Sequence, residues 1–241
     1  MVESLTSFSS TLGVVGDGVM GWQITLLAAS KGINVHLIGR GVKKEKLFKR
    51  TARFLGLEAD KLNFTFSNDI NSLKNKSIII EALPENLSLK LEVINLLNKF
   101  GEKIICTNTS SLDLKELLIE SSKMCALHFI NPVNSFKFVE FSCFPEFSEK
   151  KQKILDFVKT IEFDIYECPP TGGLVVNRLL FSYLDTVMKL SAQGMNPDTC
   201  DQIFKRLTGA NLNSKKVMKL IGEEVCDSIF SNFKDNSYLP K

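Results

Sequence analysis

The sequence predicts an α/β protein: a doubly wound domain over residues 1–172 followed by a small all-helical domain over residues 173–241. Three observations predict it. Short apolar and β-branched runs alternate with segments of helical period through the first two thirds of the chain, the pattern of a parallel sheet covered on both faces. Closely spaced glycines stand between the first such run and the helix that follows it. Then Pro169-Pro170-Thr171-Gly172-Gly173 interrupts the chain, and beyond that break helical segments follow one another without a strand.

The first unit runs from Thr11 to Arg40 as strand, glycine-rich turn, helix and strand, with G-x-G-x-x-G at Gly16, Gly18 and Gly21. Each glycine has its own mechanical task. Gly16 permits the tight turn, Gly18 lets a pyrophosphate approach the backbone, and Gly21 lets helix and strand pack closely. Val19 and Met20 open the helix, whose unpaired N–H groups and dipole favour an anion there. Gly16, Gly18, Val19, Met20 and Gly21 are therefore candidate contacts of a dinucleotide. The second strand, Val35-His36-Leu37-Ile38, ends in Gly39 and Arg40. A fold of this kind that takes NAD ends that strand with an acid for the ribose 2′-hydroxyl, whereas a guanidinium accepts a 2′-phosphate. These residues lean to NADP over NAD and leave both open.

Residues 42–57 follow as a basic helix, with Lys43, Lys44, Lys46, Lys49, Arg50 and Arg53 opposite Leu47, Phe48 and Phe54. Such a face is either solvated or a landing place for a phosphate. A weak extended piece at 63–67 leads to the run Ser77 to Ala82, whose β-branched residues fit a buried parallel strand. Leu87, Leu91, Ile94 and Leu97 recur at helical spacing over 86–99. A strand at 103–107 ends in Asn108-Thr109-Ser110-Ser111. His128 follows an apolar strand and precedes the turn set by Asn131 and Pro132. A helix over 148–160 and a strand near 163–166 complete the first domain. Residues 174–190 are apolar nearly all round, which predicts a buried helix at a domain junction or subunit interface. Helices over 197–207 and 214–233 end the chain.

With 44% hydrophobic and 24% charged residues and a net charge of +3, the 241-residue chain reads as an ordinary globular protein that has no call for nucleic acid. Six cysteines are scattered without a C-x-x-C pair or metal-like spacing, which predicts reduced thiols, no metal site and a cytoplasmic location. The opening residues show neither a basic nor an apolar signal region, and no apolar run approaches the ~20 residues that span a bilayer. No membrane association is expected.

Six motifs now stand in order: G-D-G-V-M-G at 16–21, E-A-L-P-E-N-L-S-L-K at 81–90, T-N-T-S-S at 107–111, H-F-I-N-P at 128–132, Val139-Glu140, and G-L-V-V-N-R at 173–178. Together they resemble the L-3-hydroxyacyl-CoA dehydrogenase family, a Rossmann-type domain with a helical C-terminal domain, from about Leu12 to Asp201. The resemblance implies an oxidoreductase moving a hydride between NAD or NADP and a 3-hydroxyacyl thioester, and a homodimer. It implies His128 as general base, Glu140 as the acid that orients it, Ser110 and Asn177 as hydrogen-bonding partners of the substrate oxygen, and Glu85 and Lys90 as contacts near the nicotinamide ribose. Arg40 joins the cofactor contacts on the argument above. Oxidising a secondary alcohol requires a base for the hydroxyl proton while hydride leaves carbon, and imidazole suits that task. Relatives on this scaffold also oxidise free 3-hydroxy acids, and a binding protein that kept the fold without turnover is the rival from another class. Three departures from the family stand out: Gly39 in place of the ribose acid, Gln23 and Thr25 in place of small residues after the third glycine, and a short helical part.

Overall fold

The computed structural model describes residues 11–40, 45–58, 61–117, 119–120, 122–222, 226 and 229–230. Among them, eight strands form one sheet in the order β3-β2-β1-β4-β5-β6-β7-β8. They are β1 (Leu12–Val15), β2 (Val35–Ile38), β3 (Phe64–Ser67), β4 (Ile78–Glu81), β5 (Ile104–Thr107), β6 (Met124–Phe129), β7 (Phe138–Ser142) and β8 (Asp164–Glu167). Every neighbouring pair of these runs parallel except β6 and β7, which are antiparallel. Strands β1, β2, β4 and β5 are buried along their whole length, which is why their sequences are mostly apolar rather than alternating, with polar side chains only at His36 and at the strand ends Glu81 and Thr107.

The helices are α1 (Val19–Ser30), α2 (Glu45–Phe54), α3 (Leu87–Asn98), α4 (Leu114–Leu117), α5 (Lys151–Thr160), α6 (Val176–Ala192), α7 (Pro197–Thr208) and α8 (Ser214–Ile221). Helix α1 buries Trp22, Gln23, Ile24, Thr25, Leu26 and Ala28, so nearly its whole circumference is covered. The single tryptophan does much of that covering. Its ring lies 5.5 Å from that of Phe48 on α2 and stacks on Phe66 of β3 at 6.2 Å, which seals one face of the sheet.

The chain divides into two compact units. One runs up to Thr109 and from Leu114 to Thr171; the other combines Ser110–Asp113 with the residues from Gly172 onward. The first unit contains the sheet. In the second, Phe181 and Leu184 of α6 share a core with Cys226, Ile229 and Phe230. Asp201 on α7 is buried there and satisfied by the Tyr183 hydroxyl and by both the backbone N–H and the hydroxyl of Ser214, joining α6, α7 and α8. Burial and the Asp201 carboxylate push the Tyr183 phenol well above its ordinary pKa.

Several elements differ from the sequence-based expectation. In the basic helix expected over 42–57, residues 41–44, with Lys43 and Lys44, lie outside the described residues, and Phe54 is half exposed rather than packed. His128 lies inside β6 rather than after it. Helix α6 buries one stripe, Asn177, Phe181, Leu184 and Val187, and leaves Leu179 70% exposed in the single chain. The helix expected over 214–233 is interrupted at Gly222, which leaves helical geometry with φ 93° and ψ 143°, and Cys226, Ile229 and Phe230 beyond it are helical again. Residues 223–225, 227–228 and 231–233 lie outside the described residues.

Candidate active site

Strand order reverses between β1 and β4, and ligands of open α/β sheets bind beyond the carboxyl ends of the strands at such a point. The glycine turn follows β1 there. Gly16 has φ +119°, and a Cβ on it would meet the Ala82 carbonyl oxygen at 2.4 Å, so the ends of β1 and β4 close up on a residue that must be glycine. A Cβ on Gly21 would lie 1.7 Å from the Gly16 carbonyl oxygen. A Cβ on Gly18 would meet no atom within 4 Å. The turn is therefore tight beneath and open above, the shape a pyrophosphate needs. Gly18 caps α1 without a side-chain hydrogen bond, and the first turn carries no acid. Val19 is 45% exposed beside it, and Met20 is partly buried against the core. These residues fit a dinucleotide, whose phosphates the N–H groups of the turn would hold. Gly39 and the exposed Arg40 follow β2.

The end of β4 holds a buried ionic network. Glu81 is fully buried, and its Oε1 accepts from Lys90 Nζ at 2.7 Å and from the Leu83 N–H at 2.6 Å. Its Oε2 accepts from the Thr107 hydroxyl at 2.7 Å. Lys90 is equally buried, and Nζ also donates to the Leu83 carbonyl at 3.1 Å and lies 3.6 Å from Glu85 Oε2. Thr109 donates to Glu85 Oε1 at 2.6 Å. Glu85 thus stands at the partly exposed end of a chain that begins in the core. Burial of this kind is tolerable only because each charge has a partner and the remaining polar atoms are bonded.

The imidazole and its acid sit on the antiparallel pair. His128 of β6 and Glu140 of β7 are direct cross-strand partners, so their side chains emerge side by side on one face. His128 Nδ1 and Glu140 Oε2 are 2.8 Å apart, and both residues are buried. A carboxylate only accepts, so Nδ1 carries the hydrogen, and in the neutral ring Nε2 then presents a lone pair. The thiol of Cys168 donates weakly to the other carboxylate oxygen, Oε1, at 3.8 Å. The loop after β6 is tied to α1: Gln23 Nε2 donates to Asn131 Oδ1, and Gln23 Oε1 accepts from the Val133 N–H, both at 2.9 Å. Asn108 Oδ1 accepts from the Phe129 N–H at 2.8 Å, fixing the residue beside His128.

In the second unit, Asn177 Nδ2 donates to the Ser110 carbonyl at 2.6 Å, and Arg178 donates twice to the Gly172 carbonyl. The structure thus brings together Ser110 with Asn177, His128 with Glu140, and Glu85 with Lys90. Sequence reasoning passed over Glu81, Thr107, Thr109, Asn108 and Gln23 as contributors. Glu81 carried a signal: an acid ending an unbroken buried strand needs a cation, and Lys90 is one of the few near in sequence. Among the described residues, no helix is long and apolar enough to cross a membrane.

Comparison with known proteins bears on this arrangement. Residues 11–162 match the family model described as 3-hydroxyacyl-CoA dehydrogenase, NAD binding domain. The chain is 29% identical to the mitochondrial hydroxyacyl-coenzyme A dehydrogenase of Mus musculus, an alignment covering 92% of this chain and 79% of that protein. It is 30% identical to a putative fatty acid oxidation complex trifunctional enzyme of Rickettsia prowazekii, covering 95% of this chain and 35% of that one. In fold it is similar to (S)-3-hydroxybutyryl-CoA dehydrogenase from Ralstonia eutropha, with a TM-score of 0.78, 24% identity, and coverage of 96% of this chain and 90% of that chain. With its family model matched over more than half its length and a Rossmann-type sheet carrying the glycine turn, this chain belongs to the 3-hydroxyacyl-CoA dehydrogenase family, NAD-dependent oxidoreductases.

Proposed function

We propose that this chain interconverts a 3-hydroxyacyl-CoA and the 3-oxoacyl-CoA, with His128 as general base oriented by Glu140. The nicotinamide cofactor supplies the chemistry of accepting the hydride from C3. The observation that carries the reading is the 2.8 Å contact between His128 Nδ1 and Glu140 Oε2 on facing strands. With Nδ1 engaged, Nε2 takes the proton of the substrate hydroxyl, and Glu140 stabilises the imidazolium that results. The logic is that of the His–carboxylate pair in hydrolytic triads. Ser110 and Asn177 hydrogen-bond the substrate oxygen, where preorganised donors stabilise charge as it develops. Glu85 meets the nicotinamide ribose, and Lys90 holds Glu85 in place from inside the network. Among the described residues no disulfide joins the cysteines, and the setting we propose is a reducing, cytoplasmic one.

The test is oxidation of NADH, followed by its absorbance, with acetoacetyl-CoA and separately with acetoacetate as substrate. Wild type is expected to turn over the thioester and to prefer it to the free acid. His128→Gln is expected to lower kcat by about 10²- to 10⁴-fold with NADH affinity retained. Turnover untouched by the substitution removes His128 from the role of base. A protein that binds NADH but reduces neither substrate is instead the binding protein considered above.

A further inference from the structure

The sheet sets the glycine turn and the imidazole apart. The turn follows β1 and His128 lies in β6, with β4 and β5 between them, so at ~4.8 Å per strand those two strands run roughly 14 Å apart. Transfer between positioned groups tolerates little error, and a misplacement of about 1 Å can cost on the order of 10²-fold in rate. The helix at the turn must therefore be held against the strand end that carries the imidazole. α1 is itself fixed to the turn, since a Cβ on Gly21 would already overlap the Gly16 carbonyl oxygen. Gln23 follows on the same helix and is only 3% exposed. Both ends of its amide are engaged by the segment that leaves β6: Nε2 donates to Asn131 Oδ1, and Oε1 accepts from the Val133 N–H. Val133 is fully buried in the same core as Trp22, so its N–H needs an acceptor from the protein. A small residue at position 23 could reach neither partner. The segment also closes on itself, with the Ser135 and Phe136 N–H groups donating to the Pro132 carbonyl, and Asn134 Nδ2 donates to the Phe54 carbonyl at the end of α2 at 3.0 Å.

On the reading of His128 as the base, we propose that Gln23 is a positioning residue for the reaction: its amide ties the helix at the glycine turn to the segment leaving β6, and so sets the reach of the base toward the cofactor. Gln23 does not touch the reacting atoms. It acts on His128 through the backbone of residues 131–133. Elsewhere the base is held by its cross-strand partner Glu140 and, at the next residue, by Asn108 Oδ1 on the Phe129 N–H. Gln23 supplies the hold from the side of the cofactor helix. Without the amide, the Val133 N–H loses an acceptor inside the core and Asn131 loses a donor, so the segment shifts to regain them and the end of β6 moves with it. The N–H groups that receive the dinucleotide precede Gln23 in α1 and keep their places. Cofactor binding and turnover therefore respond separately to this side chain.

Turnover of acetoacetyl-CoA per NADH-binding site tests this, with the number of sites and the NADH affinity taken from equilibrium titration by nicotinamide fluorescence. Gln23→Met, which keeps the volume and loses both hydrogen bonds, is expected to lower kcat per site by about ten- to hundredfold, with NADH affinity within about twofold of wild type. Gln23→Ala, which suits a helix and cannot overpack, gives the same readout should the methionine variant fold poorly. A merely structural role would lower the number of NADH sites and the total turnover together and leave kcat per site as it was. Action through the base is read from a double variant. In the His128→Gln protein, adding Gln23→Met is expected to change kcat by no more than about twofold, because groups that act as one unit are not additive. Unchanged kcat per site in both Gln23 variants, or losses that multiply in the double variant, overturns the proposal and leaves His128 as the base. A His128→Gln protein with full turnover removes the base and its positioning together.

Discussion

Lys90 shows how much of a residue's setting its letters leave out. Only the resemblance to a family linked it to Glu85, because residues five apart do not face each other on a helix. The structure puts Glu85 before α3 begins, in the bend after β4, so the helical spacing rule does not govern the pair. Lys90 instead points inward from the first turn, and Glu81 sits at the end of a fully buried strand to meet it. An ion pair with neither partner exposed contributes little over an apolar pair, but removing one member leaves the other charge uncompensated. Lys90→Met is therefore expected to destabilise the protein by about 3–5 kcal/mol, read from urea unfolding. Adding Glu81→Gln to that variant is expected to recover part of the loss, because the acid no longer needs a cation. A Lys90→Met protein within 1 kcal/mol of wild type would mean that water reaches the network.

At the scale of elements, what could be read from the sequence was what is local in the chain. The βαβ unit from Thr11 to Arg40 was legible because strand, turn and helix follow one another and the glycines mark the joint. The span of α7, expected over 197–207 and found at Pro197–Thr208, was legible for the same reason, since it is closed by its neighbours: Asn196 accepts from the Asp198 N–H, Pro197 stands at the first position and Gly209 ends the helix with φ 76°. The placing of His128 against Glu140 was not. It depends on β7 returning antiparallel to β6 in one register, a pairing twelve residues apart that no local pattern specifies, and only the resemblance to a family linked the two residues. The links from Gln23 to Asn131 and Val133 span more than a hundred residues and were equally invisible. The glycine turn offers a test at this scale. Gly21→Ala puts a Cβ within 1.7 Å of the Gly16 carbonyl oxygen, which is backbone and cannot swing aside. α1 must lift from β1, and NADH binding is expected to fall at least tenfold, with the Trp22 emission shifting to longer wavelength as its pocket against Phe48 and Phe66 loosens. Unaltered binding and emission would show that the turn accommodates the added methyl group without moving α1.

For the molecule as a whole, two sets of titrating groups divide the acid side of its stability curve. His36 lies in β2, buried, with Nε2 3.2 Å from the Ser72 hydroxyl; burial first, and Lys76 second, hold its pKa below the ordinary 6.5. The native state therefore prefers His36 neutral, while the unfolded chain takes up its proton near 6.5. Between those two values the unfolded state binds more protons, so this contribution is present above pH 6.5 and is lost as pH falls. A second set responds at lower pH. Hydrogen bonds from Asn71 lower Asp69, Lys150 and Lys123 lower Glu102, and Lys31 lowers Glu162, and these contributions vanish as pH falls through the folded values below the ordinary 3.8 and 4.5. Glu102 and Glu162 owe their shifts to lysines at the surface, so salt should weaken their share of the second set and leave the Asn71–Asp69 hydrogen bonds and the first set nearly untouched. Thermal melts from pH 7.5 to 3 are thus expected to show Tm easing down below pH 6.5 and then falling more steeply below 4.5. His36→Gln should flatten the first decline and keep the second, whereas 0.5 M salt, by screening exposed pairs, should blunt the second and keep the first. If His36→Gln leaves the upper decline as it was, the imidazole in β2 titrates alike in both states, and the proton that destabilises the fold near neutrality is taken up elsewhere.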